Sequence, residues 1–143
     1  MRALVIGASG GIGSALVGHL SARGDDVTAL SRSADGLDVT DEAQVARVIG
    51  RLSGPFDLVM CATGALELHG AAPEKTLRNL DAATMAAQFM VNAVGPAIVL
   101  KHVLPLMPKG SVARFAALSF AFNMTFRCLF LIDRVGYLQD DCE

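Results

Sequence analysis

Ala3-Leu4-Val5-Ile6-Gly7-Ala8-Ser9-Gly10-Gly11-Ile12-Gly13 decides how this chain is read. Four apolar residues, two of them β-branched, make a short strand. After the glycines the spacing turns helical over 11–23, with Ile12, Leu16, Val17 and Leu20 on one face and Gly24 as the stop. A strand that runs through a glycine-rich turn into a helix gathers backbone N–H groups and the positive end of a helix dipole at one point. A phosphate suits that point. The turn ends Gly11-Ile12-Gly13-Ser14, so no lysine is placed to reach a terminal phosphate, as a phosphate-loop NTPase requires. G-x-G-x-x-G does not fit either, because Ser9 and Ile12 stand at its second and third glycine positions. The spacing read here is G-x-x-x-G-x-G, on Gly7, Gly11 and Gly13. Gly7 permits the turn, Gly11 the approach of a pyrophosphate, and Gly13 the packing of helix on strand. The competing reading is a glycine-rich loop without a ligand.

Outward from this turn, strand and helix patterns alternate, which argues for βαβ units and a parallel sheet. Val27–Leu30 reads as the second strand and Leu37-Asp38-Val39 as the third, with no helix between them. Thr40 or Asp41 can cap a helix running to about Leu52, with Val45, Val48 and Ile49 inward, and Gly54-Pro55 breaks it. Phe56–Ala62 is an apolar run apart from Asp57, as in a strand covered on both faces. A long helical region follows over about 76–107, with a disruption expected at Gly95-Pro96. Val112–Leu118 reads as the next strand.

The chain has 143 residues, which predicts one domain, and 52% of them are apolar, which suits a buried sheet. A net charge of −2 without a basic stretch argues against nucleic acid as a partner. Cys61, Cys128 and Cys142 have neither disulfide-framework nor zinc spacing, and His19, His69 and His102 have no metal-ligand spacing. The thiols read as reduced, in a cytoplasmic protein, and the opening strand is not the charged, cleavable leader of an exported one.

The glycine spacing at this position resembles the short-chain dehydrogenase/reductase family, and further matches follow in the family's order through about residue 119. Asp38-Val39 resembles the family's Asp-Val pair near the adenine ring. Cys61-Ala62-Thr63-Gly64 stands where the family has Asn-Asn-Ala-Gly, with Gly64 the strict match. Asn92, in Val91-Asn92-Ala93-Val94-Gly95-Pro96, resembles the asparagine of the family's long central helix. Ser119 ends an apolar run about where the catalytic serine region begins. The resemblance implies a Rossmann-like, doubly wound α/β domain over 1–119 that binds a nicotinamide dinucleotide. The contacts it implies are Gly7, Ser9, Gly11, Ile12 and Gly13 on the first turn, Ser31 and Arg32 after the second strand, Asp38 and Val39, and Ala62 and Gly64. Ser119 and Asn92 are the candidates for the active-site framework. Read for themselves, they are also a serine at a strand end and a polar residue in a kinked helix.

Cofactor choice is set after the second strand. A carboxylate there would favour ribose hydroxyls and repel a 2′-phosphate, but this chain has Ser31-Arg32-Ser33. Arg32 carries a permanently charged fork that suits a phosphate, so NADP(H) is expected over NAD(H). The plainer alternative is a solvated surface arginine.

The family's reaction is hydride transfer between nicotinamide and a carbonyl or alcohol. It uses a tyrosine whose pKa is lowered by a lysine four residues later. The single tyrosine here, Tyr137, has Asp141 in the lysine position, and a carboxylate would shift a phenol the wrong way. Tyr137 is therefore given no catalytic role.

After Ser119 the composition changes: four of the seven phenylalanines fall between 120 and 130. Residues 120–143 read as a divergent apolar tail from a frameshift, splice variant or truncation. At 13 residues, Phe120–Ile132 is too short for a membrane span. The sheet is then cut short after about its fifth strand, leaving 112–118 on a bare edge that invites homo-oligomerisation. The expectation is an oxidoreductase by resemblance, inactive as this chain. The alternatives are a non-catalytic dinucleotide-binding module and a non-functional gene fragment.

Overall fold

A computed structural model describes residues 1–65, 67, 76–120 and 127–134. One five-stranded sheet organises them, in the order β2-β1-β3-β4-β5. The strands are β1 (Arg2–Ile6), β2 (Asp26–Leu30), β3 (Leu58–Cys61), β4 (Ala113–Phe120) and β5 (Arg127–Arg134). The first four are parallel, and β5 runs antiparallel to β4. The chain steps from β1 to β2 on one side, then crosses to β3 on the other. Right-handed crossovers in opposite directions place their helices on opposite faces. The alternation within β1 records this. Leu4 and Ile6 join Val59 and Cys61 of β3 in a core under α3 (Glu42–Ile49) and α5 (Gly95–Val103). Ala3 and Val5 face the other way, onto Leu20, Leu16 and Val17 of α1 (Gly11–Ala22). The domain is α/β, doubly wound and Rossmann-like.

Four sequence expectations are corrected. Residues 37–39 form no ladder. Leu37 and Val39 are buried in the core at 3% and 5% exposure, so their alternation reflects packing rather than strand pairing. The crossover before them does contain a helical turn, α2 (Arg32–Asp35). Ile12, expected on the inner face of α1, is 49% exposed, because Gly13 takes the inward place against the Gly7 carbonyl. Finally, β4 is not an edge. β5 extends the sheet beyond it, from Ala113↔Arg134 to Phe120↔Arg127. An antiparallel partner needs only a short reversal, unlike a parallel one.

The long helical region is built in pieces: a 3₁₀ turn at Leu77–Asn79, α4 (Ala82–Phe89), a π-helical turn at Met90–Val94, α5, and a 3₁₀ turn at Leu104–Leu106. Pro96 has no N–H, and its ring crowds the carbonyl four residues earlier, so a regular α-helix cannot pass through. The helix widens instead, and the Gly95 N–H bonds to the Met90 carbonyl, five residues back. The stretch Ala82–Leu106 is apolar and long enough to cross a membrane by composition. Gly95, Pro96, Val99 and Val103 are its buried residues in α5, and Val99 and Val103 belong to the core, the role of a central helix in this fold.

Candidate functional site

Strand register brings the site together. Ile6 is level with Leu30 on one side and Cys61 on the other. The loops after β1, β2 and β3 therefore leave the sheet at one edge, at the point where the strand order reverses, where α/β sheets bind ligands. Hydrogen bonds tie these loop starts together. The Gly7 and Ala8 N–H groups donate to the Leu30 carbonyl at 2.9 and 3.0 Å, and the Ala62 N–H donates to the Ile6 carbonyl at 2.8 Å. Between the loops lies a cleft of about 400 Å³, with Val91 of the π-helical turn also in its wall.

The first wall is the glycine turn. Gly7 has φ +84°, and a Cβ there would meet the Ala62 carbonyl carbon at 2.8 Å. A Cβ on Gly13 would be driven into the Gly7 carbonyl oxygen. These two glycines are required by the fold itself. Gly11 is different: a Cβ there would meet nothing within 4 Å. Gly10, which lines the cleft, would meet only the Gly7 oxygen, at 3.4 Å. Gly10 is also the N-cap of α1, so the cap has no side-chain acceptor, and no acidic residue lies in the first turn. Packing alone leaves room for side chains at 10 and 11. Their absence, with first-turn N–H groups that no cap side chain occupies, fits a bound anion such as a pyrophosphate.

The second wall carries charge. Arg32 and Ser33 of α2 line the cleft, both exposed, with Leu37, Asp38 and Val39 beyond them. No ion pair among the described residues engages Arg32. The Ser31 hydroxyl is committed elsewhere: it accepts from the Ala34 N–H at 3.1 Å as the cap of α2, and the residue is 6% exposed. Asp38 Oδ1 accepts from the Thr40 hydroxyl at 2.7 Å and the Thr40 N–H at 2.9 Å. These bonds, with Arg32 nearby, hold its carboxyl below the usual carboxylate range. Asp38 therefore stays ionised beside Arg32.

The third wall is the loop after β3, where Ala62, Thr63, Gly64 and Ala65 line the cleft together with Glu67. Asn92 fixes this loop. Its Oδ1 accepts from the Ala65 N–H and its Nδ2 donates to the Ala65 carbonyl, each at 2.9 Å. The residue is 2% exposed, and its two bonds to Ala65 position loop backbone rather than open into the cleft. Gly95 completes the fit, because a Cβ there would press on Val39 Cγ2 at 2.7 Å. Cys61, under the same loop, is a buried free cysteine with its Sγ 3.2 Å from Thr63 Oγ1, and burial pushes its thiol pKa up.

The sequence-derived contacts Gly7, Ser9, Arg32, Asp38, Val39, Ala62 and Gly64 meet in this cleft, while Gly11, Ile12, Gly13 and Ser31 are not in its lining. Gly10 and Ser33 were missing from that set. The signal for Gly10 was legible, since the turn also reads G-x-x-G-x-x-G on Gly7, Gly10 and Gly13. Ser119 lies near the end of β4, two residues past Ala117, which is level with Cys61, so its backbone is at the cleft edge of the sheet. Tyr137 and Asp141 lie outside the described residues.

Comparisons with known proteins place the fold and the family. The sequence profile of the NAD dependent epimerase/dehydratase family matches residues 3–100. A 3-diazoavenalumate denitrifying reductase from a Streptomyces species is 32% identical over 122 residues, 85% of this chain and 38% of that protein. The chain thus spans well under half of that relative. A protein described as a short-chain dehydrogenase/reductase from Burkholderia multivorans, with NADP bound, superposes with a TM-score of 0.68 at 19% identity, covering 88% of this chain and 63% of that one. A small-chain dehydrogenase in complex with NADPH gives 0.63 at 22% identity, covering 78% and 48%. With its glycine turn, switch-point cleft and strand order, the chain belongs to the NAD dependent epimerase/dehydratase family and has the short-chain dehydrogenase/reductase fold.

Proposed function

We propose that the cleft binds NADP(H) in preference to NAD(H), and that this chain carries the cofactor-binding half of an oxidoreductase acting on a carbonyl or alcohol. One observation carries the reading. The α1 N-terminus, built from glycine and capped by no side chain, opens into the same cleft as Arg32 and Ser33. The first end suits a pyrophosphate, and the second suits a phosphate on the adenosine ribose. When bound, the nicotinamide supplies or accepts the hydride. This chain's residues would hold the pyrophosphate on the first turn of α1 and present the Arg32 guanidinium to a 2′-phosphate. Asn92 would hold the 62–65 loop in place. The NADP- and NADPH-bound relatives support the cofactor class.

The test is a fluorescence titration of NADPH and NADH against the wild type and Arg32→Ala. The expected result is a wild-type preference for NADPH that falls at least about tenfold in the variant, the scale of one lost charge-assisted contact. Equal NADPH affinity in the two proteins would sink the assignment.

A second reading, a dinucleotide-binding module without turnover, is favoured by Asp141, which stands where a lysine would have to lower the Tyr137 pKa. NADPH oxidation against a carbonyl panel, run beside the titration, separates the two. Binding without turnover selects the module. We further propose a cytoplasmic homo-oligomer. Phe89, Met90 and Val94 are exposed at 44%, 37% and 40% along one helical stretch, an apolar surface that a second copy would cover. A monomer in sedimentation would overturn it.

A further inference from the structure

The turn that presents Arg32 and Ser33 is only four residues long, too short to hold itself by helix hydrogen bonds alone. Two reciprocal side-chain bonds close it. The Ser31 hydroxyl accepts from the Ala34 N–H at 3.1 Å, and Asp35 Oδ2 accepts from the Ser31 N–H at 2.7 Å. Gly36 ends the turn with φ +66°, its N–H donating to the Arg32 carbonyl at 3.1 Å. Of these groups Asp35 is the surprising one. It is an acid four residues from the Ser31 whose N–H it holds, on the segment read as a phosphate site. By charge alone it opposes a 2′-phosphate; by geometry it fixes the backbone that carries the residues meeting that phosphate.

We infer that Asp35 is a positioning residue for cofactor choice: its bond to the Ser31 N–H locks the Arg32–Ser33 turn in the shape that recognises a 2′-phosphate. The inference rests on the NADP(H) reading above and extends it to a residue that does not itself line the cleft. The two roles of Asp35 give effects of opposite sign, so they can be separated. Asparagine keeps the acceptor oxygen and removes the charge; alanine removes both.

The experiment titrates NADPH and NADH against the wild type, Asp35→Ala, Asp35→Asn and Arg32→Ala, with a thermal melt of each. Asp35→Ala is expected to lower the NADPH:NADH affinity ratio about fivefold, the scale of a lost cap. Its NADH affinity should stay unchanged. Asp35→Asn is expected to keep or raise the ratio. A ratio in Asp35→Ala equal to or above wild type overturns the inference, as does an equal loss of both cofactors, which marks a general structural role. If the ratio is lost in Arg32→Ala and kept in Asp35→Ala, this inference fails alone. If the wild type shows no preference, the reading beneath it fails and takes the inference with it.

Discussion

Helix α3 begins with Asp41, whose Oδ1 accepts from the Ala43 and Gln44 N–H groups at 3.0 and 3.2 Å, while Gln44 Nε2 donates back to Oδ2 at 2.9 Å. Helix α1 begins with Gly10, which offers no side chain at all. Both starts gather partial positive charge and N–H groups without helical partners. In α3 the protein satisfies them with its own carboxylate. In α1 it leaves them open and sets a cleft in front of them. α4 follows α3, with Asp81 accepting from the Thr84 N–H at 2.8 Å. The contrast separates two uses of one element: a helix end completed for stability, and a helix end reserved for a ligand.

The largest effect is expected where the α1 start depends on close packing. Gly13→Ala forces a Cβ into the Gly7 carbonyl oxygen, which is backbone and cannot swing aside. We expect a loss of about 3 kcal/mol or more, the upper range for overpacking. Chemical denaturation measures it, and a variant as stable as the wild type would mean that α1 and the glycine turn are not packed as described.

The next effect separates ligand from fold. Gly10 lines the cleft and a Cβ there would meet only the Gly7 oxygen, at 3.4 Å, so Gly10→Ala should leave the protein folded while its dinucleotide affinity drops. The expected drop is about tenfold or more. Gly11→Ala touches nothing, lies outside the cleft lining, and should cost less affinity. Titration of both variants tells which glycine the pyrophosphate needs to approach. If neither loses affinity, the comparison of the two helix starts breaks down.

The contrast also shows what a sequence reveals. The strand–glycine–helix junction and the Asp41 cap were legible because their signals are local: an apolar run, a glycine, a capping acid before a periodic segment. Leu37 and Val39 misled because alternating burial looks the same with or without a ladder. The α2 turn carries no period, and its signal, Ser31 and Asp35 bonding to each other's segments, is visible only in three dimensions. Asn92 stood out as a polar residue before Gly95-Pro96, but its two bonds reach Ala65, 27 residues away in sequence, from within the π-helical turn. The cleft depends on strand register across three strands, β1, β2 and β3. Only the glycine turn was readable as a site by itself, and Arg32 became meaningful once its strand was placed beside it.

The smallest effect belongs to the α3 start and should leave the cleft untouched. Asp41→Ala strips the Ala43 and Gln44 N–H groups of their acceptor, and the Tm should fall by a few degrees with dinucleotide affinity unchanged. Asp41→Asn sharpens the test, since asparagine caps about as well as aspartate but does not titrate in the acid range. Bonds from the Gln44 N–H and side chain hold the Asp41 carboxyl below its ordinary value of 3.8. A folded-state pKa below the unfolded one stabilises the protein above the unfolded value, and that contribution is lost as pH falls through the folded one. Melts taken from neutral pH to below 3.8 should therefore show the wild type losing Tm more steeply than Asp41→Asn, with the two close at neutral pH. Parallel curves would mean that the cap works through hydrogen bonds alone. The two helix starts would then differ in which acceptor they meet rather than in how charge is used.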